Sequence, residues 1–368
     1  MINVVFAARP QVFEIPGGDT VQLLQMQKHL APLGIEARIA TDLSAIDKAS
    51  CQLVHLFNLF DTDTLHTQSE WARRAGIPAV LTPNYWSPYE FFFATSPSLA
   101  HRVFKAVLPE TVAMGRYERH KRKKMQAVLQ KQTEVLKNCR FILPNSKAEQ
   151  AQIMDEYALD DAERYQVVYN AVSPAEIDAA SAEEFASAYG IRDFALCVGR
   201  FEERKNQLGL IRSLRRTDIP LVFMGGVPAY QQGYLAECRQ ASKKINGQVL
   251  FIHENQSPSM VYSAMKNARL HVLPSWWENT GLVSLEAALC GCNVVTTDRS
   301  PYREYFGDGA YPCDPSRDDS MRQAVLAAYS AAKNPGLPVK IRSRFTWEQV
   351  AESMQDIYRM TLSSSALQ

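Results

Sequence analysis

Two clusters of residues carry side chains suited to a charged, hydroxyl-rich ligand. The first is Gly199-Arg200-Phe201-Glu202-Glu203-Arg204-Lys205-Asn206, directly after the apolar run Phe194–Val198. Glycine permits a turn where a strand ends, and Arg200 and Lys205 follow five residues apart. A guanidinium grips two oxygens and an ammonium supplies a point charge, so the pair suits a diphosphate. Taken alone, the same run also reads as a solvated surface loop. The second cluster is Pro274-Ser275-Trp276-Trp277-Glu278-Asn279-Thr280-Gly281-Leu282, which leads into a helix-period segment containing Glu286. Glu286 sits among Leu282, Val283, Leu285, Ala287, Ala288 and Leu289, where a carboxylate is costly to bury unpaired. A pair of sugar or ribose hydroxyls is one partner for it, and an internal arginine is another. Free N–H groups at Asn279–Leu282 could hold a phosphate or a sugar hydroxyl.

The elements around these clusters alternate. Apolar, β-rich runs occur at Ile2–Ala7, Glu36–Ala40, Leu53–Phe57, Pro78–Thr82, Arg140–Leu143 and Gln166–Tyr169, then at Phe194–Val198, Leu221–Met224, Val249–Ile252, Leu270–Leu273 and Asn293–Thr296. Helix-period segments separate them. Strands apolar on both faces are parallel strands covered by helices, so the fold class is α/β with doubly wound sheets. The polar stretch Asn170–Glu176 divides the chain. The expectation is two Rossmann-like domains, 1–172 and 173–345, facing across a cleft at the C-terminal ends of their strands. Thr346-Trp347-Glu348-Gln349 has the form of a capping box, so 346–368 is read as a final helix and tail packing back across the domains. Trp347, Val350, Ala351, Met354, Ile357 and Tyr358 share one face of that helix.

In these residues the chain resembles the retaining glycosyltransferases of the GT-B fold, in particular the glycosyl transferases group 1 family. The resemblance rests on Gly199-Arg200-x4-Lys205-Asn206, on Glu278 and Glu286 separated by seven residues, and on Leu285-Glu286-Ala287-Ala288-Leu289-Cys290-Gly291 followed by Val294-Val295. Weaker matches are Gly17-Gly18 after the first strand, Asn145-Ser146 and Asn170-Ala171-Val172. The resemblance implies transfer of a sugar from a nucleotide-diphosphate donor to a glycan or lipid-linked glycan, as in polysaccharide or lipopolysaccharide assembly. No metal or other cofactor is expected, since two cations and helix-terminal N–H groups can take the leaving charge and no Asp-x-Asp motif is read. Arg200 and Lys205 would bind the diphosphate and stabilise the leaving group, and Glu278 would contact the donor sugar. Glu286 would hold the ribose hydroxyls, while Gly199, Asn279, Thr280, Gly281 and Leu282 would line the sugar and phosphate site. Gly17 and Gly18 would let the first loop approach the diphosphate or acceptor. Asn279 and Thr280 depart from the family's usual residues. Asn84 stands where a histidine is often found, and His55 is read as core or cleft lining. Two alternatives share the fold: a non-catalytic glycan-binding scaffold and a nucleotide-sugar epimerase. No Gly-x-Gly-x-x-Gly follows a strand, which argues against a dinucleotide enzyme.

Composition sets the outer limits. The chain has 368 residues, 46% apolar and 21% charged, with a net charge of +1, which excludes a wholly disordered or globally polyanion-directed protein. Seven scattered cysteines without Cys-x-x-Cys suit a reducing compartment. Met1–Pro10 lacks the pattern of a secretory leader, and a cytoplasmic location is expected. The balance is local cancellation, since 99–147 holds 12 Lys+Arg against 3 Asp+Glu. Next to it stand Asn84, Tyr85 and Trp86. With Arg119 and Lys123 in the basic run, they form an expected acceptor side, and an anionic membrane surface on the inner face of the cytoplasmic membrane is a candidate partner. No nucleic-acid-binding motif accompanies the run.

Overall fold

The computed structural model describes residues 1–96 and 108–365. The part of the basic segment at 99–107 and the end of the tail at 366–368 lie outside the described residues. The chain forms two compact units, Met1–Asn170 with Trp347–Gln368, and Ala171–Thr346.

In the first unit, β1 (Ile2–Ala7), β2 (Ile35–Ala40), β3 (Leu53–Phe57), β4 (Ala79–Thr82) and β5 (Phe141–Ile142) form a parallel sheet ordered β2-β1-β3-β4-β5. The order reverses between β1 and β3, so the loops after those strands leave in opposite directions and open a crevice. Gly17 and Gly18 belong to the β1 loop and to the start of helix Gly18–Leu30. Gln166–Tyr169 is not a strand. Gln166 and Val168 donate backbone hydrogen bonds to Ile142 and Pro144, but two-residue β5 is too short to extend the ladder. The final helix, Trp347–Ser365, belongs to this unit. All six residues of its expected apolar face are buried. Tyr358 Oη lies 2.8 Å from His55 Nδ1, and His55 Nε2 lies 2.8 Å from Thr82 Oγ1. Burial pulls His55 down to about 3, so this imidazole is a neutral core group stacked on Phe57.

In the second unit, β6 (Ala195–Val198), β7 (Leu221–Met224), β8 (Val249–Ile252), β9 (Leu270–Leu273), β10 (Asn293–Thr297) and β11 (Ala310–Cys313) form a parallel sheet ordered β11-β10-β9-β6-β7-β8. This is the order of a dinucleotide-type sheet, with its switch point between β6 and β9. The loops after β6 and β9 are the two clusters singled out in the sequence. β11 is an edge strand that carries Pro312. An edge strand needs no N–H on its outer side, so proline is tolerated there and masks the strand in the sequence.

Among the described residues, no helix is long and apolar enough to cross a membrane.

Candidate active site

β6 ends at Val198, and Gly199 adopts a φ of 154, a region open to few other residues. A Cβ on the neighbouring strand-end Gly225 would fall 2.3 Å from the Gly199 carbonyl, so the two turns need glycine to pass. Phe201 is fully buried and anchors the loop. A short 3-10 turn, Glu203–Lys205, then brings Lys205 back over Gly199, and Asn206, at φ 58, starts helix Gln207–Ser213. The Asn206 amide donates to Pro315 O at 2.9 Å.

The loop after β9 meets this turn. Lys205 Nζ lies 2.5 Å from Glu278 Oε1, and Arg204 reaches the same oxygen at 3.3 Å. Arg204 also donates to Trp277 O, pairs with Glu202 at 2.9 Å and lies over the Trp277 ring. Trp276 donates its backbone N–H to Arg204 O, which ties the loops together. Burial works against the Glu278 carboxylate, yet Lys205 and Arg204 hold it down at about 2. Burial lowers the Lys205 ammonium from its ordinary value, with Glu278 opposing that shift. The Glu278 carboxylate is therefore ionised at neutral pH, beside Lys205 and Arg204. Arg200 is the more exposed cation, 3.6 Å from Glu202 Oε2.

Gly281, at φ 66, turns the β9 loop into helix Leu282–Leu289. A Cβ there would meet Leu273 at 3.2 Å and Ser284 at 3.3 Å. Thr280 is buried with its Oγ1 3.2 Å from Tyr305 Oη. Glu286 lies on that helix with Oε1 3.4 Å from Tyr262 Oη. Burial raises its carboxyl to about 7, with Tyr262 opposing the rise and Glu176 adding to it.

The structure thus brings Gly199, Arg200, Lys205, Glu278 and the turn Asn279–Leu282 to one switch point, with Glu286 on the helix leaving it. The sequence reading missed Arg204, which looks like one more charge in a solvated run. It also missed His271, buried on β9 with Nδ1 3.4 Å from Ser284 Oγ. Burial, with Lys205 adding to it, lowers His271 to about 3.

The remaining candidates lie in the first unit. Gly17 is extended and its N–H donates to Thr20 Oγ1, while Arg9 and Asp19, 2.6 Å apart, hold the loop before it. Asn84, at φ 47, belongs to a closed ring of amides. Asn84 donates to Gln22 at 3.1 Å, Gln22 to Asn145 at 3.4 Å, and Asn145 to Asn84 at 2.7 Å. Gln22 also donates to Asn170 at 2.9 Å. The ring joins the helix begun by Gly18 to the ends of β4 and β5. Tyr85 and Trp86 are buried, and the Tyr85 N–H donates to buried Glu149. Arg119 and Lys123 are exposed on helix Glu110–Lys124, in line with Arg116 and His120. The reading that the chain lacks an Asp-x-Asp motif is wrong: Asp61-Thr62-Asp63 has that spelling, which many metal-dependent sugar transferases share. The run starts helix Thr62–Ala75, and Asp63 pairs with Lys131 at 2.6 Å.

Comparison with known proteins places this geometry. The model of the glycosyl transferases group 1 family matches residues 183–340. The alpha-maltose-1-phosphate synthase of Mycobacterium tuberculosis is 26% identical over 186 residues, covering 46% of this chain and 48% of that protein. The O-antigen chain mannosyltransferase B of Escherichia coli is 25% identical over 181 residues, covering 45% of this chain and 46% of that protein. The chain spans about half the length of the curated relatives it matches. Among solved structures, sucrose-phosphate synthase from Thermosynechococcus elongatus superposes with a TM-score of 0.73 at 15% identity, covering 99% of this chain and 100% of that one. HepE of Anabaena, solved with UDP and glucose, gives 0.69 at 16% identity and the same coverage. Residues 183–340 thus match the model of the glycosyl transferases group 1 family, within a chain that has the GT-B fold.

Proposed function

We propose that the protein is a retaining, metal-independent glycosyltransferase that moves a sugar from a nucleotide-diphosphate donor to a glycan or lipid-linked glycan. The observation that carries this reading is the buried Lys205–Glu278 pair with Arg200 beside it, at the switch point of the second sheet. Breaking the anomeric bond leaves negative charge on the phosphate and positive charge on the sugar ring. Arg200 and Lys205 neutralise the phosphate as that charge develops. An incoming diphosphate competes with Glu278 for Lys205, and the freed carboxylate accepts hydrogen bonds from sugar hydroxyls. Glu286 accepts from the ribose. The acceptor hydroxyl attacks from the face the nucleotide leaves and passes its proton to the departing phosphate oxygen, which retains configuration. The bound UDP and glucose of the HepE structure support the donor class.

The reading extends to cell-surface polysaccharide or lipopolysaccharide assembly, which the name of the Escherichia coli relative supports. A cytoplasmic site against an anionic membrane fits helix Glu110–Lys124. Exposed Arg116, Arg119, His120 and Lys123 follow i, i+3, i+4, i+7 spacing, one face of the helix. None of the four pairs with a described acidic residue. The test is release of nucleoside diphosphate from UDP-, GDP- and ADP-sugars and of CMP from CMP-sugars. Turnover of one donor supports catalysis. Binding without turnover favours the scaffold, and interconversion of the free donor sugar favours the epimerase.

A further inference from the structure

Glu286 is held by a group that no sequence motif marked. Tyr262 lies on helix Pro258–Asn267 with its ring buried, and its hydroxyl approaches Glu286 Oε1 at 3.4 Å. Glu286 Oε2 has no hydrogen-bond partner among the described residues. We propose that Tyr262 is a positioning residue for the donor: its hydroxyl occupies Oε1 of Glu286 and leaves Oε2 to the vicinal hydroxyls of a ribose. The inference rests on the donor reading above.

A hydroxyl that donates to a carboxylate favours its ionised form. Burial keeps the Tyr262 phenol protonated, so toward the ionised carboxylate it donates. The other groups on elements packed against helix Leu282–Leu289 do not replace it. On helix Pro174–Ala179, Glu176 repels the Glu286 charge, and Asp178 is engaged by Arg342 at 2.8 Å. Lys266, on the helix of Tyr262, donates to the carbonyls of Asp178 and Ala180. On helix Gly336–Arg344, Arg342 holds Asp178, Lys340 lies near Gly307, and Arg344 covers the Phe345 ring. His271 on β9 is neutral and faces Ser284. β10 carries no titratable side chain. Cys290, on the next turn after Glu286, is a protonated thiol raised by burial. Tyr262 is thus the one neutral donor that favours the ionised carboxylate among these groups.

The test uses the full chain and two readouts. In the ligand-free protein, thermal unfolding is followed from pH 5 to 9 for wild type and Tyr262→Phe, each against its own Glu286→Gln derivative. The pH midpoint of the difference moves up by about half a unit to one unit in Tyr262→Phe, because the carboxyl loses a donor. Second, dissociation constants for UDP-glucose, GDP-mannose and ADP-glucose are measured by calorimetry over the same range. Whichever nucleotide binds, Tyr262→Phe weakens it by about threefold to tenfold at pH 7 and less at pH 9. An unmoved midpoint in the ligand-free series overturns the proposal whatever the nucleotides do. A moved midpoint with no weakening at either pH also overturns it, since Tyr262 then tunes the carboxyl without serving the donor. If Glu286→Gln leaves every nucleotide affinity unchanged, the donor reading of Glu286 fails instead, and the midpoint shift shows which of the two has failed.

Discussion

Lys205 and Glu278 are joined across the switch point of the second sheet, Nζ to Oε1 at 2.5 Å, although 73 residues separate them in the chain. The contact closes the turn after β6 onto the turn after β9. It keeps two charges in a place where each alone would be expensive. The pair therefore serves folding before it serves a ligand.

Replacing Lys205 with alanine leaves Glu278 with Arg204 as its remaining cationic partner. The expected loss is about 1–3 kcal/mol at neutral pH, measured by denaturant unfolding. The sign with pH follows from Glu278, whose folded value of about 2 lies below the ordinary 4.5. Its stabilisation is complete above the ordinary value and fades as pH falls toward 2. The gap between wild type and Lys205→Ala should be constant from pH 6 to 8 and narrow below 4.5.

Glu286 has the opposite sign. Its folded value of about 7 lies above the ordinary 4.5, so the folded state binds the proton more tightly than the unfolded chain. That contribution is full below 4.5 and is lost as pH rises through 7. Glu286→Gln should therefore gain in melting temperature over wild type between pH 5 and 8. Its donor KM should be raised, with the pH dependence flattened. A donor KM equal to wild type would count against a role in ribose binding.

Gly209 gives a prediction whose direction is diagnostic. In an ordinary helix Gly→Ala is stabilising by up to about 1 kcal/mol. Here the new Cβ would fall 2.3 Å from Asn206 Oδ1, and the Asn206 amide is engaged by Pro315 O. Gly209→Ala should lower the melting temperature and weaken catalysis through Lys205, the residue before Asn206. A raised melting temperature would show that Asn206 can move away without loss.

Tyr358→Phe removes the hydroxyl partner of His55 Nδ1 and leaves a buried imidazole nitrogen unmatched. A loss of about 1–3 kcal/mol is expected in thermal or denaturant unfolding. Unchanged stability would mean that the final helix is held by its apolar face alone.

Much of the sheet structure was legible because parallel strands are short apolar runs bounded by turns. β1, β3, β7, β8 and β9 begin and end where the hydrophobic runs do. β11 was hidden by Pro312, and the two-residue β5 could not carry Gln166–Tyr169 into the sheet. The turn motifs were legible because glycine and proline sit beside charged residues there. What remained hidden depends on distant meetings. Gln22, Asn84, Asn145 and Asn170 form one amide network from four separate segments, and no local spacing announces it. Arg204 reads as one more charge in a run until Trp277 and Glu278 fold over it. Tyr262 reads as one apolar residue of an amphipathic helix until its hydroxyl is found on Glu286.

The central claim is that the cations at this switch point stabilise a departing nucleoside diphosphate. Arg200 tests it most cleanly, because it is partly exposed and its ion pair among the described residues, to Glu202, spans 3.6 Å. Its removal should change stability by no more than about 1 kcal/mol. The measurement is the rate of nucleoside diphosphate release from a turned-over donor sugar, wild type against Arg200→Ala, at saturating donor. The account predicts a fall in kcat of about 100-fold or more with the fold intact. Equal rates in the two proteins would contradict it.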